Sequence, residues 1–349
     1  MASKSRVTIE DVAEVARVSR QTVSRVINRG PNVKPEVKER VEQAIAELGY
    51  VPNLSARRMG GGKSFLIMAI NDRQRTLENW EAGSGNDWVD QMLYGGMTEC
   101  EKHGYALVFR LIDAERDKAR KQLSDVLSSI MPDGVILTPP HSANDDLVEL
   151  LKERGIACAR VGKRDGGHCV DVAMHEEAAS AEATRLLLET GHRRLAYLAG
   201  ADGYGPSRRR VEAFRETVSA ECADCEMTVL DGQFSFEIAV DLLNDVLARE
   251  DRPTGIIADN DQMAFAAMHV ADRLGIQVPE ALSVITFEDT PGVRFSVPPL
   301  TAIRQPTAAM IAKACEKLIE IRRDGGTGDA FILPHRLVER DSTMRRPGG

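Results

Sequence analysis

From residue 65 onward, short apolar runs alternate with stretches whose apolar residues recur at helical spacing. FLIMAI, YALVFRL, GVILTP and IACARV come first, separated by helical patterns around 89–103, 114–130 and 143–154. RLAYLAG, MTVL, GIIAD and LSVITF follow, with helices beginning near 207, 235 and 261. Such repetition predicts parallel sheets covered on both faces, because each crossover helix must bury its apolar stripe against the strands it connects. There are enough units for two sheets. At 349 residues and 43% hydrophobic content, the chain can bury the cores they require.

The first sixty residues follow a different rule. Thr8 followed by Asp11 is a capping-box-like start, with Val12, Val15 and Ala16 as an apolar stripe behind it. Ser19 caps a second helix, RQTVSRVIN, in which Val23, Val26 and Ile27 share one face and Arg20, Gln21, Ser24 and Arg25 the other. Pro35 opens a third helix, and Gly49 stops it. Two short helices joined by a tight turn, the second presenting Arg and Gln, form a helix-turn-helix, since guanidinium and amide forks reach base edges in the major groove. Charge divides the same way: residues 1–63 hold 12 Lys+Arg against 7 Asp+Glu, and the remainder 33 against 46. A basic nucleic-acid-binding piece attached to an acidic body is the expectation.

Several other chemistries find no support. RRMGGGKS (57–64) ends like a phosphate loop, but Arg57 stands where the first glycine belongs, and the run precedes a strand instead of following one. No Gly-x-Gly-x-x-Gly, Gly-x-Ser-x-Gly or His-Glu-x-x-His occurs, and the seven histidines are scattered, so neither an enzyme, a cofactor nor a metal is expected. The six cysteines do not form a disulfide framework, and Cys222 and Cys225 read as two incidental thiols. No run approaches the roughly 18–20 apolar residues of a membrane span, and the basic N-terminus lacks an apolar segment behind it; a cytoplasmic protein is expected.

The stretch VTIEDVAEVARVSRQTVSRVINRGPNVKPEVKERVEQAIAELGYVPNLSARRM closely resembles the DNA-binding headpiece and hinge of the lactose/galactose repressor (LacI/GalR) family. That resemblance implies a fold of a small all-α helix-turn-helix headpiece (1–52), a hinge helix and linker (53–63), and an α/β periplasmic-binding-protein-like core (64–349) of two doubly wound lobes. It puts the first lobe at about 64–172 and 300–323 and the second at 173–299 and 324–341. It also implies a homodimeric regulator, a repressor of transcription, bound to a pseudo-palindromic double-stranded DNA operator. Base contacts fall to Arg20, Gln21 and Arg25, with Thr8, Ser19, Thr22, Ser24 and Asn28 nearby. In the hinge, Asn53, Ser55, Ala56 and Arg57 follow the backbone, and Met59 takes the place of a wedge residue that is usually Leu. Arg17 departs from the Gly common in the family's turn, at a cost of about 1–2 kcal/mol if the turn stays left-handed.

For the core, the resemblance implies a small-molecule effector between the lobes. Arg210 in SRRRVEAF, Asn260 in ADNDQMA and Glu288 in ITFEDT stand at ligand positions, Glu288 replacing a common Asp. Phe234 matches an aromatic that stacks on sugar, while Asp261 reads as a helix cap. Trp80 and Trp88 lie in a long connection, RQRTLENWEAGSGNDW, that would face the cleft mouth. Donor fork, amide and carboxylate together suit a neutral saccharide. A nucleobase or other corepressor stays open as the effector, and a solute-binding protein or sugar-processing enzyme as alternative functions of such a core.

Overall fold

A computed structural model describes residues 7–27, 30, 33–50, 63–83, 85–201, 203–326 and 328–344. The chain divides into two compact units, residues 1–65 and 66–349. No helix among the described residues is long and apolar enough to cross a membrane.

In the first unit the local signals act as the sequence predicts. The Thr8 hydroxyl accepts from the Asp11 N–H while the Asp11 carboxylate accepts from the Thr8 N–H, closing a capping box on the helix Ile9–Ala16. Arg17 does adopt the left-handed turn (φ 53°), so its side chain is carried at a conformational cost. The Thr22 N–H donates to Ser19 Oγ at 3.2 Å, starting the helix Arg20–Ile27, and Pro35 and Gly49 bound the helix Pro35–Leu48. Val12, Val23, Val26, Val41 and Tyr50 are buried where the three helices meet.

The second unit contains two six-stranded sheets. The first has the order β11 (Ala330–Leu333), β5 (Val170–Met174), β4 (Ala157–Val161), β3 (Gly134–Leu137), β1 (Leu66–Asp72), β2 (Ala106–Ile112), all parallel. The second has the order β12 (Arg336–Val338), β10 (Thr301–Arg304), β9 (Ser283–Glu288), β8 (Gly255–Ala258), β6 (Arg194–Ala199), β7 (Glu226–Asp231), parallel except for β12. Ile67, Ala69 and Ile136 are fully buried under helices, as strands covered on both faces must be.

Two expected crossings between lobes move. β10 pairs with β9, Thr301 opposite Ile285, so residues 301–304 belong to the second lobe and not the first. The helix Thr307–Asp324 then packs Met310, Ile311 and Leu318 into the first lobe, and β11 pairs with β5 there, so residues 330–333 belong to the first lobe and not the second. A switch between sheets falls where a strand ends, and these short strands end later than composition suggests.

Two further expectations are corrected. The connection holding Trp80 is a helix, Arg73–Glu81, capped by Asp72 Oδ1 accepting from the Arg75 N–H at 2.9 Å. Cys222 and Cys225 are joined as a disulfide with Cα atoms 5.3 Å apart, because the turn after the helix Gly205–Glu221 folds the Cys225 N–H back onto the Cys222 carbonyl.

Candidate functional site

In the first unit, Arg20, Gln21 and Arg25 are exposed along one face of their helix, with Thr22 and Ser24 partly covered. Arg20 and Ser24, and Gln21 and Arg25, are four residues apart and so lie on neighbouring turns. Arg20 Nη1 is 3.3 Å from the Glu10 carboxylate, an exposed pair that water and salt weaken and that DNA phosphate or base can replace. Thr8 and Ser19 spend their hydroxyls on helix starts. Asn28, Asn53, Ser55, Ala56, Arg57 and Met59 lie outside the described residues.

In the second unit, the carboxyl ends of strands from both sheets meet around a cavity of about 280 Å³. Asn71 and Asp72 at the end of β1, Trp88 near the start of the helix Asp87–Lys102, Phe234 after β7, Asn260 after β8 and Glu288 at the end of β9 all line it. This is where open parallel sheets leave backbone ends and helix starts free to meet a ligand. Asn71 is fixed from two sides: Thr138 Oγ1 donates to its Oδ1 at 2.6 Å, and its Nδ2 donates to Thr76 Oγ1 at 3.0 Å.

Backbone strain clusters here. Gln233 and Phe234 (φ 52° and 58°) and Glu288 and Asp289 (φ 104° and 63°) form two consecutive pairs in the left-handed region, at about 1–3 kcal/mol per residue. Surrounding contacts hold both pairs in place. Asp289 is clamped by Arg304 and Arg340, and the Phe234 carbonyl accepts from Asn260 Nδ2 at 3.1 Å. The Phe234 ring lies so close to Gly200 that a Cβ there would come within 2.0 Å of it. Tyr204 packs edge-on against that ring at 5.0 Å, and the Arg75 guanidinium of the first lobe sits over it at 4.5 Å.

The ligand positions divide on inspection. Asn260, not Asp261, caps the helix Asp261–Arg273, its Oδ1 accepting from the Met263 N–H at 3.0 Å. The Asp261 carboxylate instead accepts from Thr286 Oγ1 and the Thr290 N–H and lines the cavity. Burial raises the Asp261 pKa to about 6, against the Thr286 and Thr290 hydrogen bonds that favour its ionised form. Burial, then the neighbouring Asp261 charge, pushes the Glu288 carboxyl well above its ordinary range. Among the described residues Asp261 accepts from two close donors and Glu288 only from the Asp261 N–H at 3.5 Å, so of the two carboxyls Glu288 holds its proton more tightly. Burial and Asp90 also raise Asp87.

Arg210 departs from its expected role. It is 2% exposed and absent from the cavity lining: Nε donates to Glu176 at 2.6 Å, Nη1 to the Asp259 carboxylate at 3.1 Å and to its carbonyl, and Nη2 to Gln305 at 3.2 Å. Its guanidinium also stacks 4.3 Å from the Phe287 ring. A cation removed from water needs this many partners, so the fork is spent on holding the cleft floor. Trp88 lines the cavity, whereas Trp80 is 48% exposed and does not. Asp72, Arg75 and Asp87 line the cavity as well, beyond the residues expected from sequence, and Asp72 carries a legible signal because it closes an apolar strand, the place where such residues collect.

Comparison with known proteins agrees with this division. Residues 8–53 match the family of bacterial regulatory proteins, lacI family, and residues 184–343 match the periplasmic binding protein-like domain. The chain is 30% identical to the HTH-type transcriptional regulator CelR of Thermobifida fusca, covering 100% of both chains. A solved structure of a transcriptional regulator CelR–cellobiose complex superposes with a TM-score of 0.70 at 26% identity, over 97% of this chain and 100% of that one. The Lac repressor dimer bound to operator and anti-inducer shares the fold with a TM-score of 0.78 at 23% identity, over 97% and 99%. Headpiece, two-lobed core and end-to-end likeness to a regulator together place this chain in the LacI family of bacterial transcriptional regulators.

Proposed function

We propose that the chain is a homodimeric repressor that reads a two-fold-symmetric operator with Arg20, Gln21 and Arg25, and that a neutral saccharide in the 280 Å³ cleft controls it. The observation that carries the effector class is the charge of the lining. Asp72, Asp87 and Asp261 face Arg75, the one cationic side chain among the described residues there, and that guanidinium is already drawn over Phe234, while Glu288 adds a carboxyl that holds its proton more tightly than Asp261 does. An anionic ligand would meet like charge in a site of low dielectric, whereas sugar hydroxyls can both donate and accept. Trp88, Tyr204, Phe234 and Phe265 offer the apolar surface that a pyranose face needs. The CelR–cellobiose complex makes cellobiose the first compound to test.

A second copy of the chain accounts for the apolar side chains left in water. Tyr94 and Met97 are 65% and 58% exposed in the first lobe, and Phe295 and Val297 are 80% and 91% exposed in the second. Calorimetric titration of the full-length protein with cellobiose, glucose and glucuronate tests the effector class. Binding of a neutral sugar that weakens in Asp87→Ala and Trp88→Ala is expected; binding of the acid alone would overturn it.

A further inference from the structure

A second cavity, larger at about 570 Å³, lies between the same two lobes. It shares a wall of Pro139, Pro140, Ala201 and Tyr204 with the first cleft and then diverges from it. The two differ in sign. Where the ionisable groups of the first are four carboxyls against Arg75, the second is lined by Lys163 of the first lobe and by Arg208, Arg209 and Arg215 of the second, against Glu212 and Asp231. Part of that charge is already offset: half-buried Lys163 is 3.1 Å from Asp165, and Arg208 is 3.7 Å from Glu212 in an exposed pair. Arg215 carries no ion pair among the described residues and is exposed.

Arg209 is the informative member. Its Nη2 crosses to the first lobe and donates to the Gly162 carbonyl at 2.8 Å. Its Nε is buried without a hydrogen-bond partner among the described residues, and the Glu177 carboxylate is 3.7 Å from it. Arg164 already engages both oxygens of Glu177, at 2.5 and 3.1 Å, so Glu177 is a poor partner for Arg209. Burial lowers the Arg209 pKa, Glu176 and Glu177 oppose that shift, and the neighbouring cations Arg164 and Arg210 add to it. The guanidinium is 17% exposed and lines the cavity, and a cation held largely out of water gains more from an incoming anion than a solvated one does.

The remaining wall of Pro139, Pro140, Val211 and Val229 is apolar, which suits a carbon skeleton more than a bare inorganic ion. We propose that this second cavity binds a small organic dianion, a phosphate monoester or a dicarboxylate, whose charge bridges Lys163 and Arg209 across the lobe interface. It is an effector site separate from the saccharide cleft. An anion held by both lobes favours whichever lobe arrangement brings Lys163 and Arg209 together, so it biases the same equilibrium that the sugar controls.

The test is calorimetric titration of the full-length protein with glucose 6-phosphate and with succinate, repeated on Lys163→Gln, Arg209→Gln and Trp88→Ala. At least one anion should bind saturably to the wild type, with affinity falling about 10-fold or more in Lys163→Gln and staying unchanged in Trp88→Ala. Which of the two binds separates phosphate monoester from dicarboxylate. Lys163→Gln guards against a folding defect in Arg209→Gln, and its cellobiose affinity should match wild type. No binding of either anion below about 10 mM would overturn the site. So would anion binding that survives Lys163→Gln and disappears in Trp88→Ala, and that outcome would also count against the neutral-saccharide reading of the first cleft.

Discussion

Arg210→Ala distinguishes a structural centre from a ligand contact, and the two roles give opposite results. In this structure the guanidinium holds Glu176 at 2.6 Å and Asp259 at 3.1 Å, and all three side chains are 4% exposed or less. Tyr197 adds a fourth buried member, its hydroxyl donating to Asp259 at 2.7 Å. Removing the cation leaves two carboxylates without compensation in a site that water does not reach. Breaking a buried pair in this way costs about 3–5 kcal/mol. For a unit of this size each kcal/mol lowers Tm by about 2–4 °C, so the melt followed by circular dichroism should fall by roughly 6–20 °C. Arg210→Lys should recover only part of the loss, because an ammonium cannot serve Glu176, Asp259 and Gln305 from one planar fork. The double variant Arg210→Met with Glu176→Gln should be less damaged than Arg210→Met alone, since one stranded charge is gone. A variant that melts within about 1 °C of wild type yet no longer responds to sugar would refute this reasoning and return Arg210 to the ligand.

Three further outcomes are expected. Because the folded protein holds the Glu288 carboxyl above the value near 4.5 of an unfolded chain, the unfolded state binds fewer protons between those two values, and wild-type stability falls as pH rises through that window. Glu288→Gln should therefore match wild type near pH 4 and exceed it at pH 8, at no more than about 1.4 kcal/mol per pH unit; a Tm difference independent of pH would exclude it. Gly200→Ala should lower saccharide affinity about 10-fold or more by displacing the Phe234 ring, and equal affinity by calorimetry would show that the ring is no part of the site. Arg25→Ala should cost roughly 1–3 kcal/mol of operator affinity and relax selectivity at one base pair, which selection from a randomised operator library would reveal.

What the sequence made legible were features set by near neighbours. The capping box at Thr8, the Ser19 cap and the Gly49 stop each depend on residues within about four positions, and the buried strands β1, β3 and β8 declare themselves as unbroken apolar runs. β12 is three residues long and β11 exposes alternate side chains, so their places follow from pairing partners far along the chain. The helix Arg73–Glu81 was hidden because it has almost no apolar face, although Asp72 was available as its cap. Arg210 shows the limit most clearly. Its identity and helix were readable, but Glu176, Asp259 and Gln305 lie 34, 49 and 95 residues away, and only the folded sheet brings them to it.

That separation bears on how effector choice is encoded. Asn260 spends its oxygen on the helix cap and donates its amide to the Phe234 carbonyl, and Arg210 is committed beneath the floor. Both residues therefore act on the shape of the cleft, holding a strained Phe234 and a rigid sheet edge in position. The polar and aromatic groups turned to the cavity from the opposite lobe come from one short segment, with Arg75, Asn79, Asp87 and Trp88 among them. Under the proposed saccharide reading, rigid second-lobe geometry and a compact set of first-lobe polar groups place discrimination in which of those groups the wrong compound leaves unpaired. It follows that exchanges at Arg75, Asn79 and Asp87 should change which sugar is bound while leaving the melt near wild type. Exchanges at Arg210 or Asn260 should lower the melt and weaken every sugar together. Parallel thermal melts and sugar titrations on the two sets of variants would separate these behaviours, and equal destabilisation by both sets would remove the distinction.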